Sequence, residues 1–479
     1  MSAELHSTWD RAAARDGRFD GKFLVGVLST GIYCLPSCPA RPPRPENVRV
    51  LPDEAAALAA GLRPCKRCRP DLFYRGEDAD EALFAALAER VRAAPERFPS
   101  TAALARACGV SASKLASLVR EHAHLTPAAW LKRERVRAAC RLLLETRTKV
   151  VAVGEVAGFE SESAFHRQFL AITRMTPGAY RALADARVFM LQLPAGYRAS
   201  EVLAYHGRDP ESRSERVEGN RIHKALVTED GGVVLELALE RGAAWCSVHA
   251  SRTLGARSMQ ALHTVAVRML GLTTDVVPFE TRTSREPRFA ELIARRRALR
   301  LPLTATGFDA LCWAIIGQQI NLAFASALRR ELLELAGPKV DGLRAHPSPA
   351  EVARLDPAEL ARRRYSRSKA EDLLTAARAA ASGELDPERL GEGSAAAAER
   401  ALTQLRGVGT WTARYVLMRG AGFADCAPVG DVALAAALAR LYGMDERPKP
   451  AEVEVLMRPF SPYRSLATFH LWQSLRDPQ

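Results

Sequence analysis

The pattern of apolar and polar positions changes along the chain and divides it into regions of different structure. From Glu81 to about residue 183 the sequence is rich in alanine, leucine and arginine, and its apolar residues recur with helical spacing. Between residues 188 and 272 the pattern predicts strands at 189–193, 221–227 and 232–239, followed by a helix at 262–271. The remainder is nearly all helical. The pattern therefore predicts a multidomain, mainly α protein with α+β parts.

Two glycines, Gly109 and Gly158, interrupt the first helical region at places that look alike. In each case a short helix precedes the glycine and a helix that begins with small and hydroxyl residues follows it. Ser111 is a favourable N-cap for the first of these second helices. The arrangement predicts two helix-turn-helix units. Their second helices carry basic residues that can contact DNA phosphates or guanine, namely Lys114, Arg120 and Arg167.

These two units, with the closing segment 175–181 (Met-Thr-Pro-Gly-Ala-Tyr-Arg), resemble the AraC-type DNA-binding domain. An ordinary helical bundle is the alternative, but it explains neither the matched turns nor the closing segment. Gly154 stands where the family usually has alanine, which predicts a weaker first helix in the second unit.

Length and charge narrow the class of protein. With 479 residues the chain is too long for one core, so we expect three or four domains. The net charge is +13, and residues 1–182 contribute +8 through 28 Lys and Arg against 20 Asp and Glu. This excess favours a polyanionic partner such as nucleic acid, although a generally basic surface that aids solubility gives the same count.

No signal peptide and no apolar run of about 18 residues is evident, so we expect a cytoplasmic protein without a membrane partner. In a reducing compartment the nine cysteines are not a disulfide framework. Five of them stand singly in apolar contexts and are expected to be core thiols. The other four have the spacing Cys34-x3-Cys38 and Cys65-x2-Cys68, which predicts a tetrahedral zinc site. A purely structural site is the alternative to a reactive one.

The sequence segments that contain these cysteines, residues 30–38 and 61–71, resemble the N-terminal domain of Ada-type DNA repair proteins. That family transfers a methyl group from a DNA phosphotriester to a zinc-bound cysteine. The resemblance implies one Zn²⁺, both structural and reactive, held by Cys34, Cys38, Cys65 and Cys68, with Cys34 as the methyl acceptor.

Near the end of the chain, Leu-Arg-Gly-Val-Gly-Thr-Trp at 405–411 predicts a hairpin that enters a helix. Gly407, Gly409 and Thr410 would let the backbone N–H groups approach a DNA phosphate at the helix N-terminus. Asp431 follows 22 residues after Gly409. A carboxylate there either stabilises a sugar cation or simply caps a helix.

The hairpin, Asp431 and the segments 315–319 and 462–472 resemble the helix-hairpin-helix DNA glycosylases, in particular the AlkA-type 3-methyladenine enzymes. The resemblance implies Asp431 as the catalytic carboxylate and Gln318 and Gln319 as DNA contacts. It also implies a base pocket lined by Trp411, Tyr415, Trp472 and Tyr205. The sequence departs from the family at Gln319, where a leucine wedge is usual, at Val432 and at Arg406, which replaces a proline.

Taken together, these resemblances predict four domains: a small zinc α/β methyl-acceptor domain (1–76), an AraC-type double helix-turn-helix domain (80–183), a small α+β domain (187–290) and a helix-hairpin-helix glycosylase domain (291–479). They imply a transcriptional activator and repair protein of the alkylation response that binds alkylated and operator double-stranded DNA and RNA polymerase. The glycosylase is expected to hydrolyse alkylated purines without strand cleavage, since no lysine stands beside the hairpin. The alternative is a regulator whose C-terminal domain binds damaged DNA without catalysis.

Overall fold

The computed structural model describes residues 15–477, which form two compact units that divide between Leu87 and Ala88. In the first unit a small sheet packs against two short helices. Its elements are β1 (Leu24–Val27), β2 (Ile32–Cys34), β3 (Val48–Leu51), α1 (Glu54–Ala59), β4 (Arg63–Pro64) and α2 (Pro70–Tyr74). The strand order is β3-β1-β2-β4, with β1 antiparallel to both neighbours and β2 parallel to β4. Leu24, Tyr33 and Leu51 form the centre of its core.

After α3 (Ala79–Ala93) the chain forms the two predicted helix-turn-helix units, α4 (Thr101–Cys108) with α5 (Ala112–Ala123) and α7 (Val150–Val156) with α8 (Glu162–Thr173). They are joined by the long α6 (Pro127–Glu145) and followed by α9 (Pro177–Arg181). The units repeat the same local chemistry. Ser111 and Ser161 cap α5 and α8 by accepting a backbone N–H three residues on, and each helix ends in a left-handed residue, His124 or Arg174.

Gly154 has a packing role in the second helix-turn-helix unit. It lies buried in α7, and a Cβ atom at this position would come within 2.9 Å of the Phe165 ring of α8. The glycine thus lets the two helices approach closely. Glycine lowers the helix propensity of α7, as the sequence predicts, and the close packing against Phe165 offsets this loss.

A five-stranded antiparallel sheet follows, with the order β5-β9-β8-β7-β6. Its elements are β5 (Val188–Gln192), α10 (Ala199–His206), β6 (Glu215–Glu218), β7 (Arg221–Thr228), β8 (Gly231–Glu240), β9 (Ala243–Ala250) and α11 (Ala256–Met269). The strands predicted at 189–193, 221–227 and 232–239 are present as β5, β7 and β8. The sequence did not predict β6 and β9, whose polar and small residues lack a strong apolar alternation, and α11 begins six residues before the predicted helix.

The remaining chain is helical, as predicted, apart from one two-stranded ribbon. Its elements are α12 (Val277–Thr283), α13 (Pro287–Ala294), α14 (Gly307–Ile316), α15 (Leu322–Ala336), β10 (Lys339–Val340), β11 (Leu343–Arg344), α16 (Pro349–Ala353), α17 (Pro357–Arg362), α18 (Arg367–Ser382), α19 (Ala395–Gln404), α20 (Thr410–Val416), a π-helical turn (Leu417–Ala421), α21 (Val432–Tyr442), α22 (Pro450–Met457) and α23 (Arg464–Ser474). One large apolar core joins these helices.

A second core joins the helix-turn-helix region to the sheet. Phe165 and Phe169 of α8 and Tyr180 of α9 belong to the same buried cluster as Phe189 of β5 and Leu235 of β8. The predicted boundary between 183 and 187 therefore lies within continuous packing, and the four-domain division stays a prediction.

No single helix in residues 15–477 is long and apolar enough to cross a membrane; one bent pair, α4 with α5, meets the length and composition criteria when taken together.

Candidate metal centre and active site

The four cysteines of the predicted zinc site come together in the first unit. Cys34 ends β2, Cys38 lies in the following turn, Cys65 follows β4, and Cys68 precedes α2. Their four sulfur atoms all lie within 4.8 Å of one another. Tetrahedral zinc with Zn–S bonds of about 2.3 Å requires sulfurs roughly 3.8 Å apart, so this cluster fits the ion. The prediction of a single zinc is confirmed by this geometry.

The four sulfurs differ in the donors that reach them. The backbone N–H of Leu35 donates to Cys68 Sγ and that of Arg67 to Cys65 Sγ, each at 3.4 Å. Such donors withdraw electron density from a thiolate and reduce its nucleophilicity. Among the hydrogen bonds described for residues 15–477, none runs from a backbone N–H to Cys34 Sγ. The Ala40 N–H lies against Cys38 in the same way, so Cys34 is the ligand without a described backbone donor in this part of the chain.

A cavity of about 330 Å³ opens beside Cys34. Its lining is mostly aliphatic, and two arginines, Arg15 and Arg41, contribute the charge. A neutral group with an alkyl substituent is easier to desolvate into such a cavity than an anion is. The cavity therefore combines an apolar lining with two positive charges next to Cys34.

In the second compact unit of the chain, which begins at Ala88, Asp431 directly precedes α21 and has two roles in the structure. Its Oδ1 accepts the backbone N–H of Leu434 at 2.7 Å, so the residue is an N-cap. The carboxylate also accepts both nearby indole N–H groups: Trp472 donates to Oδ1 at 2.9 Å and Trp411 donates to Oδ2 at 3.3 Å. Helix capping and the aromatic contacts together fix the orientation of this carboxylate.

The predicted aromatic residues surround this carboxylate. Trp411 and Tyr415 lie one turn apart on α20 with ring centroids 5.7 Å apart, and Tyr415 lies 6.4 Å from Trp472 of α23. Burial raises the pKa of Tyr415 to about 12, so its phenol is neutral near pH 7. The cluster presents electron-rich rings next to a negative charge.

Two arginines that the sequence reasoning missed lie against the ring of Tyr205. The guanidinium carbon of Arg208 lies 4.1 Å from the Tyr205 ring centroid, and that of Arg419 lies 4.3 Å away. Arg419 is 1% exposed, and its three side-chain nitrogens have no hydrogen-bond partner within residues 15–477. A charged residue inside the apolar stretch after Trp411 was the available signal in the sequence. The ring of Tyr205 thus has two cationic neighbours, and its place in the base pocket stays a prediction.

The hairpin has the conformation that its glycines predict. Gly407 has a φ of +74°, whereas Gly409 has a φ of −89° and precedes α20 with open space where a Cβ would lie. Thr410 begins the helix. Gln318 donates from Nε2 to the carbonyl of Gly407 at 2.8 Å and to Thr412 Oγ1 at 2.9 Å, so it braces the hairpin. Gln319 is exposed and has a φ of +57°.

Basic residues near the hairpin are engaged within the protein. Arg406, which replaces the proline usual in the family, pairs with Glu371 at 2.5 Å, so its charge is partly neutralised within the protein. Lys369 donates to the carbonyls of Ile315, Ile316 and Gln318 and so closes the end of α14. The charges of Arg406 and Lys369 are therefore partly used to hold the fold.

The residues predicted to contact operator DNA lie on the second helix of each helix-turn-helix unit. Lys114 and Arg120 of α5 and Arg167 of α8 are all exposed, while Leu115, Leu118 and Phe165 on the same helices are buried. Each helix therefore buries one face and presents basic side chains on the other, as a recognition helix does.

Family models match three parts of the chain: the metal binding domain of Ada at residues 7–71, a helix-turn-helix domain at 104–183, and the HhH-GPD superfamily of base excision DNA repair proteins at 312–462. Over 208 residues the chain is 36% identical to the DNA-3-methyladenine glycosylase of Bacillus subtilis, an alignment that covers 43% of this chain and 69% of that protein. The chain belongs to this glycosylase family.

One relative aligns over nearly the full length of the chain. The chain is 28% identical over 501 residues to a Mycobacterium tuberculosis protein named probable bifunctional transcriptional activator/DNA repair enzyme AlkA, covering 99% of this chain and 98% of the relative. The glycosylase family member described here is thus fused to an Ada-type zinc domain and a helix-turn-helix domain, and the predicted resemblances are confirmed. The DNA-binding domains confirm DNA as a partner.

Among solved structures, the 3-methyladenine DNA-glycosylase from Archaeoglobus fulgidus matches with a TM-score of 0.54 and 22% identity, covering 60% of this chain and 98% of that one. The match shows that the glycosylase part has the same fold. It confirms the predicted combination of an α+β part with a helix-hairpin-helix part.

Proposed function

We propose that this chain is a transcriptional activator and DNA repair protein of the alkylation response. Its glycosylase part hydrolyses the N-glycosidic bond of alkylated purines such as 3-methyladenine. Its zinc part accepts methyl groups from DNA phosphotriesters on Cys34. The observation that carries the glycosylase proposal is the carboxylate of Asp431, held by the indole N–H groups of Trp411 and Trp472 inside an aromatic cluster.

This reaction needs a negatively charged carboxylate near the sugar more than it needs a general acid that protonates the leaving base. An alkylated purine is already cationic, so it leaves readily once the sugar can carry positive charge. Asp431 would stabilise that charge on the sugar or assist the attacking water. The rings of Tyr415 and Trp411 would stack against the electron-poor base after it has been flipped out of the duplex. The N-glycosidic electrons leave with the base and neutralise its positive charge, while the oxygen of water bonds to the sugar carbon and the proton that it releases passes to the solvent.

The test is base release from a methylated duplex by the wild type and by Asp431→Asn. Asparagine is as good an N-cap as aspartate, so the fold should keep its stability while catalysis is lost. Excision should fall by at least about 100-fold, which is the scale of a lost electrostatic contact in the transition state. No release by the wild type would favour a regulator that only binds damage, and equal release by both proteins would remove Asp431 from its role. Intact abasic strands would support hydrolysis without strand cleavage.

In the first unit, Cys34 is proposed as the nucleophile. Zinc bound by four thiolates would keep the sulfurs deprotonated and electron-rich at neutral pH. The Cys34 sulfur forms a bond to the methyl carbon while the bond from that carbon to the phosphate oxygen breaks, and an ordinary phosphodiester remains. The support is the cavity beside Cys34, which is largely aliphatic, and the absence of a described backbone donor to its sulfur within residues 15–477.

Mass spectrometry of the peptide that contains Cys34 tests this transfer. After exposure to methylated DNA the peptide should gain the mass of one methyl group. Cys34→Ser should abolish methylation of the domain, whereas Cys108→Ser, a change at a half-buried cysteine of α4, should leave it intact. Methylation at Cys38, Cys65 or Cys68 in place of Cys34 would contradict the assignment.

Methylation of Cys34 would also remove one negative charge from the four-thiolate site and so reduce its repulsion of phosphates. This change would raise operator affinity and link repair to transcription, with RNA polymerase as the further partner. Titration of an operator at fixed salt with methylated and unmethylated protein tests the link. Arg120→Ala and Arg167→Ala should each weaken operator binding and reduce the slope of its salt dependence by about one ion. Equal affinity of the two protein forms would refute the switch.

A further inference from the structure

The first helix-turn-helix unit contacts the segment that leads to Asp431, at the end of its second helix α5. His124 follows α5 in a left-handed backbone conformation with a φ of 55°. Its Nδ1 accepts the backbone N–H of Asp425 at 3.1 Å, and its ring lies edge-on to Phe423 at 5.1 Å. Both partners belong to segment 423–431, which connects the π-helical turn to α21 and ends at Asp431.

This contact requires a neutral imidazole. Burial lowers the pKa of His124 to about 4, because desolvation disfavours the charged imidazole. The negative charge of Asp425 opposes this shift only in part, and the charges of Arg464 and His122 add to it. Near pH 7 the ring therefore keeps its Nδ1 lone pair available for the Asp425 N–H, and the hydrogen bond is present.

The anchored segment is tied in turn to the helix that carries Trp472. The carboxylate of Asp425 accepts from Ser461 Oγ at 2.8 Å and from Arg464 Nε at 2.8 Å. Arg464 begins α23, and Trp472 near the other end of α23 donates to Asp431. Segment 423–431 and α23 therefore both help to orient Asp431, together with Trp411 of α20, and they meet at Asp425.

A second histidine of α5 reaches the element that leads to the hairpin. His122 is 1% exposed, and its Nδ1 lies 2.8 Å from Ser394 Oγ. Ser394 is the N-cap of α19, which runs directly into the hairpin at 405–409. The C-terminal end of α5 thus contacts both segment 423–431, which ends at Asp431, and α19, which leads to the hairpin.

We propose that His124, assisted by His122, is a positioning residue for base excision, so that the first helix-turn-helix unit is a working part of the glycosylase. This proposal rests on the proposed glycosylase activity. Small displacements of a reacting group reduce rates strongly, so loosening the segment that ends at Asp431 should slow the chemical step without weakening DNA binding.

The experiment measures single-turnover base release at saturating methylated duplex, together with the Kd of the duplex, in the full-length protein. His124→Ala removes the acceptor and should lower the rate constant about tenfold with an unchanged Kd. His124→Asn keeps an acceptor near the position of Nδ1 and also tolerates the left-handed conformation, so its rate should return to within about twofold of the wild type.

The matched control is Arg174→Ala. Arg174 closes α8 in the second helix-turn-helix unit with the same left-handed geometry, and no hydrogen bond or ion pair described for residues 15–477 links it to segment 423–431, so this variant reproduces the backbone effect without that contact. Its rate should equal that of the wild type. If His124→Ala does not fold, His124→Gln, which moves the acceptor by one bond, takes its place as the loss variant.

Three results would overturn the proposal: an undiminished rate in the loss variant, an equal loss in His124→Ala and His124→Asn, or a loss confined to Kd. Absence of release by the wild type would overturn the glycosylase function itself, whereas release by the wild type and the loss variant at the same rate would overturn only the positioning role.

Discussion

The indole N–H of Trp472 donates to Oδ1 of Asp431 at 2.9 Å, the same oxygen that caps α21. One carboxylate oxygen thus serves both the helix and the aromatic cluster. The contact joins α23 to the segment before α21, although the two residues are 41 positions apart in the chain.

The first prediction concerns this hydrogen bond. Trp472→Phe keeps an aromatic ring in the pocket and removes the donor, so Asp431 should lose part of its orientation. We expect single-turnover base release to fall about tenfold with little change in duplex affinity. Trp245→Phe, a change at a half-exposed tryptophan on β9, is the control and should have no effect. A rate within twofold of the wild type in Trp472→Phe would show that the indole N–H is dispensable.

The second prediction separates the two hairpin glycines. Gly407→Ala places an L-residue at a φ of +74° and brings its Cβ to 2.3 Å from the Asp372 carboxyl carbon, so the protein should lose about 2 kcal/mol of stability or more. Gly409→Ala meets no atom within 4 Å and should fold with a loss below about 1 kcal/mol. Its methyl group occupies the space that a DNA phosphate would use, so duplex affinity should fall. Chemical denaturation and DNA titration measure the two effects, and the reverse order of stabilities would contradict the assignment.

The third prediction concerns the metal. Elemental analysis should find one zinc per chain, and Cys38→Ala should abolish zinc binding, whereas Cys426→Ala, at a buried cysteine of the second unit, should not. Because zinc binding to such sites contributes about 10 kcal/mol or more to folding, removal by a chelator should make the first unit sensitive to protease. Protease digestion patterns that do not change on metal removal would argue against a zinc-dependent fold.

The fourth prediction concerns pH. Burial lowers the pKa of His124, His263 and His346 to about 4 and that of His470 to about 3, against an ordinary value near 6.5. Between these values the unfolded chain binds more protons than the folded one, so stability is complete above about pH 6.5 and decreases as the pH falls towards 4. The urea midpoint of the second unit should therefore drop steadily from pH 7 to pH 5. A midpoint that stays constant over this range would mean that these imidazoles are protonated in the folded protein.

Local patterns in the sequence were sufficient for features whose chemistry lies close together along the chain. The spacing of the cysteines specified the zinc ligands because a tetrahedral site needs four thiolates on short, closely spaced segments. Gly109 and Gly158 marked both turns because helix periodicity and a left-handed glycine are readable within a dozen residues. The hairpin and its distance to Asp431 were readable for the same reason, while the roles of the site residues stay predictions.

Only the tertiary structure decided which distant side chains meet. It placed Arg208 and Arg419 against Tyr205, gave Gly154 its contact with Phe165, and set His124 on the segment that ends at Asp431. It also completed the sheet with β6 and β9, whose weak alternation is compensated by pairing with their neighbours. These relationships depend on packing between residues up to about 300 positions apart. Such packing depends on the shape of the whole core, which no local pattern of residues records.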